Sequence, residues 1–523
     1  MIDTPRAGGR GFLRGRRVLT LAEGVAGDAL WWDEGRIVAV GSAREIERKV
    51  PRDVPRYELP DTLVTPGFVD GHTHFAMWAL GRRRVQLAGA RTRDEAVSRV
   101  ATAAPVQGWV VGQGWDANGW SSAPDRHVLD AVQPGPVYLD SLDVHAAWVN
   151  SAALAAAGIG RDTPDPAGGR IVRDASGAPT GLLLERAVEL VSRILPEPPP
   201  ALLDAATLEA QAEAHRLGVT GIHDVENDAA LAAFRRLELG GSLRLRVLFQ
   251  PPVTSLPALI AGGVRSGDGS EWLAVGGIKL FLDGSLGSRT AWMLRPYEGT
   301  RDRGMPITDE AEARDALHLA AGHGLAATVH AIGDAAVRRA LDLMTPLARV
   351  ALPHRIEHFQ CVDARDLDRA AAAGIVVSMQ PAHLLTDIPM VDRHWGERGR
   401  GAYAFRSLLR RGTALVFGSD VPVATIDPRA GMFAALARRP EGAGRSAWRA
   451  EEAIGFEEAV RAYTVAPARA AGVGARRGAL APGLDADLVA WDVDPGVERG
   501  DGDAFRAGGA ALTVVGGEVV MRR

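Results

Sequence analysis

His72 and His74 stand one residue apart, directly after an apolar run that ends at Val69. In extended backbone, side chains at positions i and i+2 project from the same face, so the two imidazoles point the same way. Imidazole nitrogen is the commonest protein ligand of metal ions. The pair therefore offers two ligands to one divalent ion, although an isolated His-x-His more often belongs to an ordinary surface loop.

Four more residues that can bind metals lie in or directly after later apolar runs. They are Lys279 in the run 276–281, His330 after 325–329, His358 after 355–357 and Asp420 after 414–419. Each one alone could be a satisfied core residue or, for the aspartate, a helix cap. The carboxyl ends of the parallel strands of an α/β barrel converge on the face that carries the active site. Their joint placement with the histidine pair therefore predicts a metal site.

Lysine is almost absent from this chain: Lys49 and Lys279 are the only two among 523 residues. Unlike arginine, lysine can lose its proton and react. An ammonium at position 279 would repel a dication, whereas a lysine amine carbamylated by carbon dioxide is an anionic oxygen ligand that can bridge two ions. We therefore predict that Lys279 is N6-carboxylated. The alternative is a salt bridge from Lys279 to Asp283, and an unmodified lysine would favour a single-metal site.

Composition limits the types of metal ligand and the kinds of partner that this chain can have. The single cysteine, Cys361, excludes an intramolecular disulfide and a cysteine-based zinc cage, so histidines and carboxylates must hold the metal, which we expect to be one or two Zn²⁺ ions. The net charge of -4 without a basic run argues against a nucleic-acid partner. No apolar stretch is long enough for a signal peptide or a membrane span. We expect a cytoplasmic protein with a small-molecule substrate, no membrane partner and, from base rates alone, a homo-oligomer such as a dimer.

The elements that must position these residues recur along the chain. Apolar runs typical of strands cover residues 63–69, 219–224, 243–249, 274–281, 325–330, 355–359, 375–379 and 414–417. Alanine-rich amphipathic segments at 310–321, 334–350 and 364–373 are typical of crossover helices. The order predicts an α/β fold, a (β/α)8 TIM-type barrel.

Two parts of the chain fall outside that repeat. Residues 79–217 separate the first two barrel strands and predict an inserted subdomain beside the site. Residues 17–56 and 487–521 both alternate apolar and polar side chains, so we expect the two chain ends to pair in a small β-sandwich. The predicted units are therefore 1–62 with 470–523 for the sandwich, 63–78 with 218–469 for the barrel, and 79–217 for the insertion.

Five segments of the sequence also resemble a known family. They are PGFVDGHTH at 66–74, IKLFLDGSLGSRTA at 278–291, HAIGDAAV at 330–337, HRIEHFQ at 354–360 and GSDVPV at 418–423. Together they resemble the amidohydrolase superfamily, and more narrowly its YtcJ-like branch, typified by N-substituted formamide deformylase. The one departure, Leu484 and Asp485 where a lysine usually follows Pro-Gly, lies in the terminal domain.

The resemblance implies a ligand set. It assigns His72, His74 and Asp420 to a more buried ion, His330 and His358 to a more exposed one, and carbamylated Lys279 to a bridge between them. It further implies that a metal-bound hydroxide attacks the substrate, while Asp420 takes the proton of the attacking water and delivers it to the departing amine.

Substrate positioning is predicted for a second group of residues. The candidates are Ser285 and Arg289 in the loop after Lys279, His145 in the insertion, and Trp115 with its neighbour Trp120, each of which could instead be purely structural. Asp70 and His223 are predicted to support the ligands. The remaining histidines show no convergence and are assigned to surface or structural roles: His127, His215, His318, His323, His354, His383 and His394.

The leading hypothesis is hydrolysis of a carbon-nitrogen bond in an amide, with N-substituted formamides or N-acyl amines as the nearest class. Hydrolysis of cyclic amides, deamination of heterocycles and hydrolysis of small peptides are the alternatives within the same chemistry. An isomerase or lyase that uses the same metal, and a barrel that only binds its ligand, remain open as other classes.

Overall fold

The computed structural model describes residues 9–440, 446–493, 496 and 502–523. Its first five strands are β1 (Gly11–Val18), β2 (Gly27–Asp33), β3 (Arg36–Gly41), β4 (Arg56–Glu58) and β5 (Thr62–Pro66), with the short helix α1 (Ala43–Glu47) between β3 and β4. None of the helices in the described ranges is both long enough and apolar enough to cross a membrane.

The next strand, β6 (Phe68–Thr73), starts a different sheet. The sequence predicted one strand through residues 63–69, and that boundary is wrong, because the chain changes sheets at Gly67. A Cβ atom at Gly67 would lie 2.3 Å from the hydroxyl oxygen of Thr220, so only glycine permits this close approach. Residues 62–66 therefore belong with the terminal strands.

A separate six-stranded sheet follows. Its strands are β7 (Val85–Gln86), β8 (Val110–Trp115), β9 (Val137–Ser141), β10 (Ala146–Val149), β11 (Gly169–Arg173) and β12 (Pro179–Glu185), in the spatial order β11-β12-β10-β9-β8-β7. The helices of this stretch are α2 (Phe75–Gly81), α3 (Arg93–Ala101), α4 (Arg126–Asp130), α5 (Ser151–Ala156) and α6 (Glu189–Ser192). Apolar clusters on this sheet give it a core of its own.

Eight parallel strands then complete two sheets. They are β13 (Val219–Val225), β14 (Arg246–Gln250), β15 (Leu273–Val275), β16 (Gly277–Phe281), β17 (Ala326–Ala331), β18 (Arg355–His358), β19 (Val376–Met379) and β20 (Leu415–Phe417). One sheet has the order β15-β14-β13-β6 and the other β16-β17-β18-β19-β20. Single parallel bridges connect the two sheets: Pro252, just after β14, pairs with Lys279 of β16, and Thr73 of β6 pairs with Val421, which follows β20. The predicted run 274–281 is divided at Gly276, where a Cβ atom would meet the side chain of Gln250.

Helices alternate with these strands. They are α7 (Pro200–Arg216), α8 (Asp228–Leu239), α9 (Leu256–Ala261), α10 (Glu310–Gly322), α11 (Asp334–Met344), α12 (Arg369–Ala373), α13 (Leu384–His394), α14 (Phe405–Arg410), α15 (Pro428–Ala437), α16 (Phe456–Tyr463) and α17 (Val465–Ala470). Short 3-10 helices cover Val253–Ser255, Pro381–His383, Gly396–Gly401 and Ala450–Glu452.

Two helix predictions and one predicted domain boundary differ from the structure. The helix predicted at 334–350 ends at Met344, and the one predicted at 364–373 contains only Arg369–Ala373, preceded by turns. Helix α7 was predicted to be part of the insertion, yet its buried residues pack with Phe75, Ile222 and Phe234 in the same cluster as β13 and α8. An amphipathic helix directly before a parallel strand is the crossover to that strand, so α7 belongs with the barrel strands.

The chain ends in helix α18 (Gly502–Ala507) and strands β21 (Leu488–Asp492), β22 (Gly509–Val515) and β23 (Glu518–Arg522). These strands join the amino-terminal ones in a single sheet of order β23-β22-β21-β5-β1-β2-β3, with β4 paired to β1. Strand β21 runs antiparallel to β5, with Leu488 opposite Pro66 and Trp491 opposite Leu63. The two ends of the chain therefore hydrogen-bond to each other, as the alternation of their side chains predicted.

Trp491 ties this terminal sheet to the first parallel strand. Its indole is fully buried, and its ring centroid lies 5.1 Å from those of both Phe68 and Phe505. The indole nitrogen donates a hydrogen bond of 2.9 Å to the hydroxyl of Thr65. A Cβ at Gly218 would lie 2.4 Å from the same ring, so the surrounding backbone is packed closely against it.

Trp491→Ala should lower the free energy of unfolding by roughly 3–5 kcal/mol, because it removes a fully buried indole and leaves a cavity at the junction. Denaturant unfolding followed by circular dichroism measures the change. Leu239→Ala is the matched control, since Leu239 is 81% exposed and its truncation should change little. Equal stability of the two variants would contradict the packing role of Trp491.

Candidate metal centre

The two histidines at the end of β6 turn the same ring nitrogen toward one carboxylate. His72 donates from Nδ1 to Glu357, and His74 donates from Nδ1 to the carbonyl oxygen of Val225 at 2.6 Å. Because each Nδ1 carries the proton, each Nε2 keeps its lone pair for a ligand. The Nε2 atoms lie 3.4 Å and 3.2 Å from Oδ1 of Asp420, as expected of groups that share one cation.

Asp420 and His358 stand in unusual backbone conformations. Their φ angles are +59° and +70°, in the left-handed region that non-glycine residues rarely adopt. The backbone N–H of Asp420 donates to the carbonyl oxygen of His72 at 2.7 Å, which anchors this turn against β6. Strain of this kind persists where the surrounding structure holds a side chain in place for function.

Ligand atoms of His72, His358 and Asp420 all lie within 4.8 Å of one another, and all three residues are buried. Nε2 of His72 and Nδ1 of His358 find no hydrogen-bond partner among the described residues. Leaving a buried polar atom unpaired is costly, and metal binding at this cluster would satisfy both nitrogens. The donor set of this cluster therefore fits a metal ion.

Lys279 lies in the middle of β16 and is 2% exposed. Its Nζ has no hydrogen-bond acceptor in the described part of the chain and sits 4.5 Å above the ring of Phe281. Asp283, the alternative partner predicted from the sequence, instead accepts from the backbone N–H groups of Trp292, Ile332 and Gly333. Burial lowers the pKa of the Lys279 amine to about 8, so a larger fraction of it is neutral near neutral pH than of an exposed lysine.

His330 lies near the carboxyl end of β17, beside His358 of β18. Its Nε2 donates to the carbonyl oxygen of Gly284 at 3.2 Å, and its ring centroid lies 4.4 Å from that of His358. Burial lowers the pKa of both rings well below the usual value, and the positive charge of Lys279 acts in the same direction. All six residues of the predicted ligand set thus lie in or directly after β6, β16, β17, β18 and β20.

Two carboxylates of the site, Asp420 and Glu357, stay ionised because neighbouring side chains lower their pKa values. Burial would raise the pKa of Asp420, but His72, His74 and His358 hold it well below its usual range. Glu357 is likewise buried, and Arg355 and His72 keep its pKa low.

Asp70 and His223, predicted as supports, also lie beside the ligands. Asp70 accepts from the backbone N–H groups of His72 and Ser419, and burial raises its pKa to about 7. His223 accepts at Nδ1 from Arg355 at 2.7 Å.

Two features of the site were missed from the sequence. Glu357 connects Arg355 to His72, and the signal for it was its position directly before His358 on β18, with Arg355 pointing to the same side two residues earlier. His383 was assigned to a surface or structural role, yet its Nε2 lies 3.9 Å from Oδ2 of Asp420 and donates to the carbonyl oxygen of Ser419 at 3.1 Å. His383 follows the end of β19, so its position after a strand was the overlooked signal.

The predicted substrate-positioning residues are not all at the site. His145 donates from Nδ1 to Glu185 at 2.8 Å, and its ring centroid is 5.2 Å from that of His330. Ser285 is buried and donates to Asp143 at 2.6 Å, which ties the loop after β16 to the insertion.

The other two predicted substrate-positioning residues, Arg289 and Trp115, do not share the contacts of His145 and Ser285. Arg289 is exposed and has a φ of +56°. Trp115 lies in the core of the insertion, where its indole donates to the carbonyl oxygen of Leu139 and packs against Trp120 and Trp148. The contacts of Trp115 favour the structural alternative over contact with substrate.

Comparison with known proteins agrees with this geometry. A family model described as the amidohydrolase family matches residues 58–521. The chain belongs to this family. Putative amidohydrolase YtcJ of Bacillus subtilis (strain 168) is 31% identical over 494 residues, covering 91% of this chain and 92% of that relative. N-substituted formamide deformylase of Arthrobacter pascens is 29% identical over 486 residues, covering 88% and 89%.

A solved structure gives the same result for the fold. The crystal structure of an uncharacterized metal-dependent hydrolase from Pyrococcus horikoshii superposes with a TM-score of 0.76 at 26% identity, and the match covers 93% of this chain and 98% of that one. This amidohydrolase accordingly has a TIM-barrel-type α/β fold, and the resemblance inferred from the sequence motifs is confirmed. The site and these neighbours together support a metal cofactor.

Glu357→Gln should weaken zinc binding by about 10- to 100-fold, the usual effect of removing the group that orients a ligating histidine. The substitution keeps the volume of the side chain while it removes the charge that fixes the His72 tautomer. Competition with a chelator of known affinity measures the change. Glu312→Gln, on the exposed surface of α10, is the matched control, and equal zinc affinities of both variants would contradict this role of Glu357.

Proposed function

We propose that this protein is a metal-dependent amidohydrolase that cleaves a carbon-nitrogen bond of an amide in a small molecule. The observation that carries the proposal is the buried cluster of His72, His358 and Asp420, in which two imidazole nitrogens have no partner within the described ranges. Membership of the amidohydrolase family supports the reaction class.

The six predicted ligands would bind two metal ions. His72, His74 and Asp420 would hold the first, His330 and His358 the second, and Lys279 would lie between them. Nitrogen and carboxylate donors suit Zn²⁺, which accepts both readily. A bound ion of this kind supplies Lewis-acid chemistry, since it polarises a carbonyl oxygen and lowers the pKa of water toward about 7.

Lys279 would act as a bridging ligand only after modification. In that step the neutral Nζ attacks the carbon of carbon dioxide, an N–C bond forms and one proton is released, which leaves an anionic carbamate. Burial, the absence of an acceptor within the described residues and the lowered pKa all favour the neutral amine. The positive charge of the Lys279 ammonium acts to lower the pKa values of four histidines, namely His72, His74, His330 and His358. The carbamate would replace that charge with two oxygen atoms.

Asp420 is the residue that we assign to proton transfer. Its neighbours keep it ionised despite burial, so it can accept the proton of the attacking water while the oxygen of that water bonds to the carbonyl carbon. The same carboxyl then returns the proton to the leaving nitrogen as the C–N bond breaks. Oδ1 of this carboxylate lies 3.4 Å and 3.2 Å from Nε2 of His72 and His74, so a cation held by these three groups would fix it in place for both transfers.

N-substituted formamides, named by the Arthrobacter pascens relative, are the first substrates to test, followed by N-acyl amines.

Asp420→Asn should reduce kcat for N-benzylformamide hydrolysis by at least about 10³-fold, because the amide side chain cannot accept the proton of water. Formate release measures turnover, and circular dichroism checks that the fold survives. Asp315→Asn on the exposed face of α10 is the matched control and should retain full activity. If Asp420→Asn keeps activity within tenfold of the parent, another residue transfers the proton.

Lys279→Ala should lower the zinc content from about two equivalents to about one or less, because the bridge between the ions is lost. Elemental mass spectrometry of protein purified with bicarbonate measures the metal, and intact mass under native conditions should show one carboxyl group of about 44 Da in the parent. Lys49→Ala, which removes the only other lysine, should change neither quantity.

Other results of this experiment would assign the protein differently. About one zinc equivalent, unaffected by Lys279→Ala, would indicate a mononuclear enzyme. A complete absence of metal from freshly purified protein would contradict the hydrolase and leave a barrel that only binds its ligand.

A further inference from the structure

A second and larger cavity lies at the opposite end of the parallel strands from the metal cluster. It has a volume of about 530 Å³, and its walls include Val69, Thr220 and Arg246, which stand at or near the starts of β6, β13 and β14. Volumes of this size are typical of sites for small molecules. Neither the proposed reaction nor the family assignment uses this cavity.

Four arginines line the cavity, namely Arg36, Arg246, Arg476 and Arg477. Three carboxylates stand against them: Asp485 pairs with Arg36 and Arg477, Asp487 pairs with Arg246, and Glu271 lies near several of the guanidinium groups. Arginine stays charged under all ordinary conditions. One positive charge is therefore left over at the wall of a cavity that is large enough to admit an anion.

Of these four arginines, Arg476 lies farthest from its nearest carboxylate oxygen, so its ion pairs are the weakest. Its nearest carboxylate contacts are 3.3 Å to Asp485 and 3.5 Å to Glu271, whereas Arg477 meets Asp485 at 2.7 Å. Asp485 already accepts from Arg36 and Arg477. The Arg476 side chain is 44% exposed, and in turning toward a ligand it would give up one long hydrogen bond, 3.4 Å to Asp485, and the contact with Glu271.

Part of the remaining wall is apolar, beside the polar side chains of Thr220, His223 and Ser270. Val247 and Leu248 of β14, Ala274 of β15, and Ala468 and Ala471 at the end of α17 face the same space. The fitting ligand therefore combines an anionic head with an apolar body.

Two buried side chains separate this cavity from the metal cluster. His223 lines the cavity. Arg355 donates a hydrogen bond to Nδ1 of His223 from the side away from the cavity. Arg355 in turn holds Glu357, which orients His72. A ligand in the larger cavity is therefore not a ligand of the metal site.

We propose that this cavity binds a small organic monoanion, a carboxylate with an apolar substituent, whose charge is met by Arg476 and the neighbouring guanidinium groups. The proposal does not rest on the hydrolase function, because it uses none of the metal-site residues.

Titration calorimetry of the zinc-loaded protein with benzoate and with butyrate tests the proposal, and benzamide serves as the neutral comparison. We expect one benzoate per chain and at least about tenfold weaker binding of benzamide, since loss of one charge-assisted contact changes affinity by roughly that factor. Arg476→Ala and Ala471→Phe should each weaken benzoate binding by about tenfold or more. Arg469→Ala, an exposed arginine of α17 outside the cavity, is the matched control and should bind like the parent.

A metal-site variant separates this site from the catalytic one. Asp420→Asn should bind benzoate as the parent does, whatever its activity. Binding that is lost in Asp420→Asn but kept in Arg476→Ala would place the carboxylate on the metal and overturn the proposal. It would also be overturned if neither benzoate nor butyrate bound more tightly than about 1 mM.

Discussion

The buried contact between Glu357 and His72 is the interaction that holds the candidate site together. Glu357 is fully enclosed, so its charge is tolerable only because Arg355 meets it at 2.5 Å on one side and the His72 ring donates to it on the other. That donation places the proton of His72 on Nδ1 and frees Nε2 to face Asp420. Arg355 also donates to the carbonyl oxygen of Gly71, so the same guanidinium fixes the backbone of β6 next to the ligand.

The backbone is strained at His358 and Asp420, which both contribute ligand atoms to the cluster. Both residues stand at or just after a strand end. Each left-handed conformation costs of order 1–3 kcal/mol. Backbone hydrogen bonds from Asp420 to His72 and from Phe359 to Ala331 hold both turns in place. The stability of the strands thus offsets the strain at the site.

The insertion and the terminal sheet act on this centre from two sides. The insertion contributes Asp143, which accepts hydrogen bonds from Ser285 and Ser288 of the loop after β16, and Glu185, which accepts one from Thr290 of the same loop. These contacts hold the loop that follows Lys279 against the insertion. The terminal sheet lies at the other end, where Trp491 packs on Phe68 of β6 and Asp487 pairs with Arg246 of β14. Both units therefore brace strands that carry or neighbour the ligand positions.

Local sequence was enough to predict which side chains meet at one end of the parallel strands. Histidine, lysine and aspartate at the ends of apolar runs are local features, and parallel strands bring such ends to one face, so the amino-acid order alone grouped His72, His330, His358 and Asp420. Other features came only from the folded chain: the change of sheet at Gly67, the burial of Trp115, the approach of His383 to Asp420 and the pairing of Glu357 with His72. These contacts join residues far apart in the chain or depend on close packing. They have no periodic signature, because their energy comes from neighbours that tertiary folding supplies.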